Sequence, residues 1–517
     1  MSPTTTAPRP ATVALDVETV RRVEAEAMAR LPEGTLMARA ATAVAVSAGQ
    51  MLRDLLGRVT GARVVLLVGA GDNGGDALHA GARLATRGAR VDALLVADRH
   101  HEAGADALRR AGGRLHVVDG DLVAAAELVA AADLVVDGVL GIGGRGALRE
   151  PAATLAAVAR ETDASVLAVD LPSGVDADTG VVEDADRAVR ADRTVVMGAL
   201  KPGLLVGEGA RLSGDLEVVD IGLDLGGLDP ARTLVLVDDE LAASVLARPG
   251  AGDDKYTRGV VGLSTGSERY PGAAILSTAG ARHGTAGYVR YSGPAHAEVV
   301  RAWPDVVAKP GRVGVAGRAQ CWVVGCGRGT DEDARLAILD AAAPPTPLVL
   351  DADALTLLAE DAEVRAAVIS RPGVTVLTPH DGELARLAGG RVGPDRLAAA
   401  REVADAYRAV VLLKGSATVV VAPDGPSYVA VAAPPELATA GTGDVLAGVL
   451  GSLLAGVQAR GQVDPASAAR VAGAAAHVHG LAGALAARGG RPVASPDVAA
   501  ALPEAVARLR AARPAGA

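Results

Sequence analysis

Short, unbroken apolar runs punctuate the chain, each closed by Gly or a polar residue and followed by a longer stretch of helical periodicity. RVVLLVG at 63–69 is the first, a continuous β-branched run ending in glycine. Such a run marks a strand buried on both faces. GDALHAGARLATRG behind it reads as a helix and VDALLVA as the next strand; LHVV, DLVVDG and SVLAVD continue the cycle. Strands alternating with helices predict a parallel sheet covered on both sides. Ahead of the first strand, residues 11–56 interleave charges with Ala, Leu and Val and predict helix.

The rhythm closes near IGLDLGGLDP (221–230) and restarts with VVGLSTG, AGYVRY, CWVVGCG, PLVLDAD, VTVLTPH and VVLLKG. TVVVAPDGPSYVAV predicts a hairpin with Asp424-Gly425 near its turn. Residues 443–456 and 464–488 read as two closing helices, and no short-period repeat occurs. The pattern sets two α/β domains in tandem, residues 1–228 and 229–517.

Composition agrees. A chain of 517 residues exceeds what one hydrophobic core serves. Hydrophobic residues make up 50%, but aromatics only 2% and Phe is absent, so Ala, Val and Leu must do the packing. Few aromatics weigh against a stacking platform for single strands, and a net charge of -10 weighs against any nucleic acid partner. Cys321 and Cys326, in CWVVGC, read as buried thiols near a strand end, since a zinc site lacks its ligands. Two cysteines and no signal sequence predict a cytoplasmic protein. MSPTTTAPRP reads as a disordered tail, and the Ala-rich run 468–487 is broken by Arg and His, so no membrane span is expected.

Ligands of open parallel sheets sit beyond the carboxyl ends of strands. In the first half, GAGDNGGD (69–76), DGVLGIGGRG (137–146), DLPSGVDADTG (170–180) and GALKPG (198–203) fall at such ends. Each alone is ordinary loop composition; four together point to a site. Asn73, Asp137 and Ser173 offer oxygens to one hard cation. The GIGGRG loop with Arg145 suits a phosphate, and Asp170, ending an apolar strand, suits acid/base work. GAGDNG also has the GxGxxG spacing of a dinucleotide fingerprint, with Asp98 some twenty residues on, so that alternative stays open.

In the second half, LATAGTGDVLAG (437–448) places Gly441 and Gly443 before an apolar helix, whose N-terminus favours an anion, with Asp444 positioned to take a proton from an attacking hydroxyl. GSERYPGAAILS (266–277), CGRG (326–329), TPHDGELARL (378–387) and KGSAT (414–418) are further strand-end clusters. Plainer readings stand beside them. Lys414 reads equally as a solvated loop lysine and His380 as a helix cap. Glu383 fits a capping box for which Thr378 lies too far upstream. Asp351 and Asp353 read as strand terminators, and His477 and His479 as packing or surface residues.

NGGD, the Asp-Gly-x-Leu-Gly segment, DLPSGVDADTG and KPG together resemble the NAD(P)H-hydrate epimerase domain over roughly residues 11–225. The resemblance implies Asn73, Asp137 and Ser173 as potassium ligands. It implies hydrate binding by Asp72, Asn73, Gly74, Gly75 and Asp76, by Gly141, Ile142, Gly143, Gly144, Arg145, Gly146 and Ala147, and by Asp170. Asp72 stands where the family usually has Asn, and Ala77 where it has Gly. KYTRG, YPGAAILS, GCGRG, DADAL, TPHDGE, KGSAT and LATAGTGDVLAG follow the order of the ADP-dependent NAD(P)H-hydrate dehydratase, over about 233–517. There the resemblance implies Ala273, Gly327, His380 and Asp444 at the hydrate site, and Lys414, Gly415, Ser416, Ala417, Thr418 and Gly443 on the adenylate. Asp254 stands where that family commonly has His.

Taken together, the resemblances imply a Rossmann-like three-layer parallel-sheet domain followed by a ribokinase-like domain, and repair of hydrated nicotinamide nucleotides. Asp170 would exchange protons to equilibrate the epimers, and Asp444 would act as base in an ADP-driven dehydration of the S form. The implied cofactors are K⁺ in the first domain and Mg²⁺ in the second, reached through water near Glu383, with ADP as co-substrate. The expected partners are the hydrates NADHX and NADPHX and a second copy of the chain, with no membrane. From the residues alone, a ribokinase-like small-molecule kinase with a nucleotide-sensing N-terminal scaffold domain stays open.

Overall fold

The computed structural model describes residues 12–118, 122–431 and 433–512; the segment MSPTTTAPRP, read above as a tail, lies outside them. The chain divides into two compact units, Met1–Thr233 and Leu234–Ala517.

The first unit carries β1 (Val13–Leu15), β2 (Arg63–Val68), β3 (Arg90–Leu95), β4 (Arg114–Val117), β5 (Leu134–Gly138), β6 (Ser165–Val169), β7 (Arg193–Met197) and β8 (Asp215–Val219). From β2 onward these form one sheet in the order β4-β3-β2-β5-β6-β7-β8, parallel throughout. Val64, Leu66 and Val68 enter one apolar cluster, while Val65 and Leu67 enter another on the opposite face. That alternation makes the unit three-layered. The chain order reverses between β2 and β5, which opens a crevice at their carboxyl ends. The register Leu67↔Asp137 and Val68↔Gly138 delivers Asp137 to it.

The second unit carries β9 (Thr233–Leu236), β10 (Val260–Ser264), β11 (Tyr288–Ser292), β12 (Val307–Lys309), β13 (Cys321–Val324), β14 (Leu348–Leu350), β15 (Thr375–Leu377), β16 (Val410–Leu413), β17 (Thr418–Val421) and β18 (Ser427–Ala430). They run in the order β9-β18-β17-β16-β15-β14-β13-β10-β11-β12. The hairpin expected around Asp424-Gly425 is present: β16–β17 and β17–β18 are antiparallel, the other pairs parallel.

Packing without Phe relies on close approach. Helix Thr442–Arg460 lies against helix Pro271–Arg282 so tightly that a Cβ on Gly448 would fall 2.0 Å from the Ser277 carbonyl oxygen, and one on Gly280 would fall 2.1 Å from that of Val445. Two glycines thus let the backbones touch where larger residues would separate them. Helix Thr442–Arg460 is long and apolar enough to cross a membrane, yet 72% of that window is buried inside the unit.

Three regions differ from expectation. The helical reading of 11–56 opens instead with β1 and splits into Val17–Met28 and Thr35–Leu56, because Gly34 turns the chain at φ +76°. Strands β7 and β8 complete a sheet in which neither had been named. A third closing helix, Ser495–Ala512, follows the two expected and tolerates Pro503 inside it, a residue that argues against helix in sequence.

Gly448→Ala is expected to destabilise the chain by about 1–3 kcal/mol through overpacking, despite the helix propensity it adds. Gly272→Ala, with nothing within 4 Å of the added carbon, is expected to be neutral or stabilising by up to about 1 kcal/mol. Chemical denaturation of both variants checks the sign.

Candidate active sites

In the first unit a cavity of about 990 Å³ opens where the sheet reverses. Asp72, Asn73 and Asp76 come to it from helix Asp72–Thr86, Gly141 to Gly144 from the loop after β5, and Asp170 from the end of β6. Glu24 and His101 share the wall. Gly74 and Gly75 lie behind it: added carbons would strike the Gly69 carbonyl and the His101 ring. Arg145 is exposed and, with Gly146 and Ala147, lies beyond the lining. The fingerprint spacing of GAGDNG leads to a helix that begins at Asp72, within the motif.

Ser173 binds Asp137 directly, and the Leu140 carbonyl links Ser173 to Asn73. The Ser173 hydroxyl donates to Asp137 at 2.7 Å and its amide at 2.8 Å. The Leu140 amide donates to Ser173 Oγ at 2.8 Å, and Asn73 Nδ2 donates to the carbonyls of Leu140 (3.2 Å) and Val169 (2.5 Å). Asp137 is fully buried, and burial pushes its carboxyl up to about 6 despite those hydrogen bonds. No basic side chain pairs with it among the described residues. A buried carboxylate without a counter-charge, beside the Ser173 hydroxyl and the Leu140 carbonyl, offers oxygens of the kind potassium takes.

Asp170 adopts φ +67°, rare for a residue with a side chain. Its Oδ1 accepts hydrogen bonds from the Met197 amide at 2.9 Å and from Lys201 Nζ at 2.5 Å. Lys201 is 1% exposed. The KPG string had carried the resemblance without giving this lysine a role, and Glu24, inside a helical stretch, left no sequence signal. Asp76 is buried with Oδ1 unpartnered. Desolvation, aided by the Asp170, Asp72 and Glu24 carboxylates, pushes it up to about 8.

In the second unit Asp444 sits in the first turn of helix Thr442–Arg460, whose N-cap, Gly441, takes φ +88° and supplies no capping side chain. The first amides of this helix therefore look for an outside acceptor. Burial and the neighbouring Asp351 push Asp444 up to about 7, with the Lys414 ammonium and the Cys326 thiol pulling the other way. Lys414 is no solvated loop residue: its Nζ lies 2.7 Å from Asp351 and 3.7 Å from Glu383. Burial would lower it, but those carboxylates prevail and hold it above its ordinary range. Asp351 is 2% exposed and also faces Cys326 Sγ at 3.5 Å, so it does more than end a strand; Asp353 accepts from the Gly329 amide at 2.8 Å. Cys326, Asp351 and Asp444 lie within 4.8 Å of one another, a convergence the spacing concealed. Asp351 is paired to Lys414, and burial holds the Cys326 thiol well above its usual range.

His380 is the N-cap of helix Asp381–Leu387 and completes the capping box with Glu383. Its Nδ1 accepts from the Gly382 and Glu383 amides at 3.0 and 3.3 Å. Ala273 and Gly327 touch, a Cβ on Gly327 falling 2.7 Å from that of Ala273; one on Gly443 would fall 3.6 Å from Lys414 Nζ. The geometry thus brings Lys414 and Gly443 to one place. Gly415 and Ser416 are exposed beside them, while Ala417 and Thr418 are buried as β17 begins. His477, 2.7 Å from Asp239, and His479, driven down to about 4 by burial, pack within helix Pro465–Ala486.

Two α/β units, each with a lysine–aspartate pair beyond its strand ends, define a tandem α/β protein. Residues 33–203 match the family described as YjeF-related protein N-terminus, and residues 261–504 match NAD(P)H-hydrate dehydratase. The chain is 46% identical over 437 residues to the bifunctional NAD(P)H-hydrate repair enzyme Nnr of Mycobacterium tuberculosis, covering 84% of this chain and 87% of that protein. The corresponding protein of Mycobacterium leprae is 44% identical over 434 residues, with 84% and 87% covered. Among solved structures, the ADP/ATP-dependent NAD(P)H-hydrate dehydratase of Bacillus subtilis, co-crystallised with ATP/Mg²⁺, is 25% identical and covers 53% of this chain and 97% of that one, at TM-score 0.45. The chain belongs to the bifunctional NAD(P)H-hydrate repair enzyme family, and the reading as a small-molecule kinase with a sensing scaffold is set aside.

Lys414→Met removes the cation that holds Asp444 down. Asp444 is then expected to keep its proton to higher pH, moving the acid limb of the dehydration rate profile upward. A pH–rate series on the S hydrate checks it.

Proposed function

We propose that Asp170 and Asp444 are the working carboxylates of the two half-reactions by which the chain returns (R)- and (S)-NAD(P)H hydrate to NAD(P)H. The observation that carries the second role is a half-buried carboxyl poised near 7, in the first turn of an uncapped helix and close to Lys414. A base titrating near neutrality can both hold and release a proton. Asp444 takes the proton of the hydrate's hydroxyl as that oxygen attacks the β-phosphorus of ADP. The new O–P bond forms, the bond to the bridging oxygen breaks, and AMP leaves. Phosphate then departs with the C–O electron pair, and loss of a proton from the adjacent carbon restores the ring double bond. The amides of Gly443 and Asp444 hold the charge that develops on the phosphoryl oxygens. The loop of Lys414, Gly415 and Ser416, continuing into Ala417 and Thr418, takes the adenylate, with Ala273, Gly327 and His380 against the hydrate.

Hydrates form as both epimers, and dehydration takes only the S form. Asp170, oriented by Lys201 and the Met197 amide, exchanges protons in the first cavity so that the R form is not stranded. Asn73, Asp137 and Ser173 would hold potassium there, whose charge would offset that of Asp137. For magnesium, two nearby carboxylates are already engaged: Glu383 by the His380 amide at 2.8 Å and by Lys414, and Asp351 by Lys414. The ion would arrive on the nucleotide's phosphates.

The test gives the purified chain mixed-epimer NADH hydrate with K⁺, Mg²⁺ and ADP or ATP, and follows the return of dihydronicotinamide absorbance. Complete recovery with ADP is expected; none with either nucleotide would refute the reading. Asp444→Asn is expected to lower dehydration by about 10²–10⁴-fold with ADP binding retained. Asp170→Ala is expected to halt recovery near the S fraction, and unchanged equilibration in that variant would remove its role.

A further inference from the structure

Moving a hydroxyl from one face of a carbon to the other needs a proton for the departing oxygen as well as a base for the returning one. Asp170 supplies only half of this, since its Oδ1 already accepts from Lys201 and from the Met197 amide. The same cavity wall holds a second carboxyl in the opposite condition. Asp76 is 7% exposed, lines the cavity with Asp170, and has Oδ1 without any hydrogen-bond partner. The groups around it are mostly anionic: Asp170, Asp72 and Glu24. Arg83, the basic residue within range, spends its guanidinium on the carbonyls of His79 and Ala38. His101, whose ring closes over Gly75, turns Nδ1 to the Gly104 amide at 3.0 Å. A buried carboxyl with carboxylates for neighbours and no cation of its own keeps its proton.

We propose that Asp76 is the general acid of the epimerisation, paired with Asp170 as base in the same cavity, an assignment that rests on the epimerase reading above. Asp76 gives its proton to the hydroxyl on the carbon beside the ring nitrogen. The C–O bond breaks with its electron pair leaving in water, and the nitrogen lone pair forms a C=N bond. A water on the opposite face adds to that carbon, the nitrogen recovers its pair, and Asp170 accepts the proton this water loses. One proton returns from Asp170 to Asp76 through cavity water, so the cycle consumes nothing. A carboxyl left without a partner beside one that accepts from an ammonium is what such a cycle requires. With Asp76 pushed up to about 8, the acid form is present at neutral pH and is lost in alkali.

The test is epimerisation of chromatographically pure R hydrate by the full chain in K⁺, with ADP-driven dehydration of the S hydrate measured in parallel. Asp76→Asn keeps the shape but has no proton to give. Its epimerisation kcat is expected to fall about 10²–10⁴-fold with KM changed only a few-fold, the alkaline limb of the pH profile lost, and dehydration of the S hydrate unaltered. Asp76→Glu is expected to recover part of the rate. A wild-type kcat in Asp76→Asn, or a raised KM at unchanged kcat, would overturn the assignment and leave Asp76 a binding group. Equal loss in Asp76→Asn and Asp76→Glu would overturn it in favour of a packing role. A wild-type chain that leaves R hydrate untouched would overturn the epimerase reading itself, which the variants cannot imitate.

Discussion

Each unit is organised around a lysine brought to an aspartate where water is scarce: Lys201 on Asp170 in the first, Lys414 on Asp351 in the second. Such pairs are weak contributors to stability, because desolvating both ions offsets most of their attraction. Their effect is on the carboxyls nearby. Carboxyls that the ammonium does not reach by hydrogen bond, Asp76 in the first site and Asp444 in the second, are pushed up by burial and by their acidic neighbours.

That separation explains why burial has different consequences at neighbouring residues. Asp351 and Asp444 approach within a few ångströms in one side-chain cluster, yet only Asp351 has Lys414 in hydrogen-bond contact. Asp444 is left poised near neutrality, where a base that must work in both directions is most useful. Asp170 and Asp76 repeat the arrangement in the first unit, with Lys201 committed to one of them. Parallel strands make this possible, since their crossovers place all carboxyl ends on one edge and gather side chains far apart in sequence.

The strand rhythm was readable because parallel strands are apolar on both faces and the helices between them are not. The placement of the short Gly- and Asp-rich strings was readable: residues of NGGD and DLPSG line the first cavity, and GTGD opens the helix that carries Asp444. What could not be read are residues whose role depends on partners supplied by the fold. Glu24 belongs to a helix with no local signal, Lys201 is buried by contacts distant in sequence, and Cys326 meets Asp351 and Asp444 only through the sheet order. Helix Ser495–Ala512 was hidden by Pro503, and β1 by its brevity. Conversely, Arg145 reads as a phosphate ligand by composition but stands exposed outside the cavity wall.

The absence of Phe is connected to the second site. Small side chains let helices Thr442–Arg460 and Pro271–Arg282 approach until Gly448 and Gly280 each lie against a carbonyl of the other. That contact sets where the first turn of helix Thr442–Arg460 can lie. A Cβ on Gly441 would fall 2.6 Å from Leu276, on the same helix as Ala273, which in turn touches Gly327. The uncapped amides, Asp444 and the contact of Ala273 with Gly327 are therefore held in one frame by backbone proximity, without a large side chain between them. A bulkier core would leave the sheet intact but move Asp444 away from Lys414 and Asp351, and with them the influences that set its proton affinity. Packing by Ala and Gly is thus a condition of the chemistry as well as of the fold.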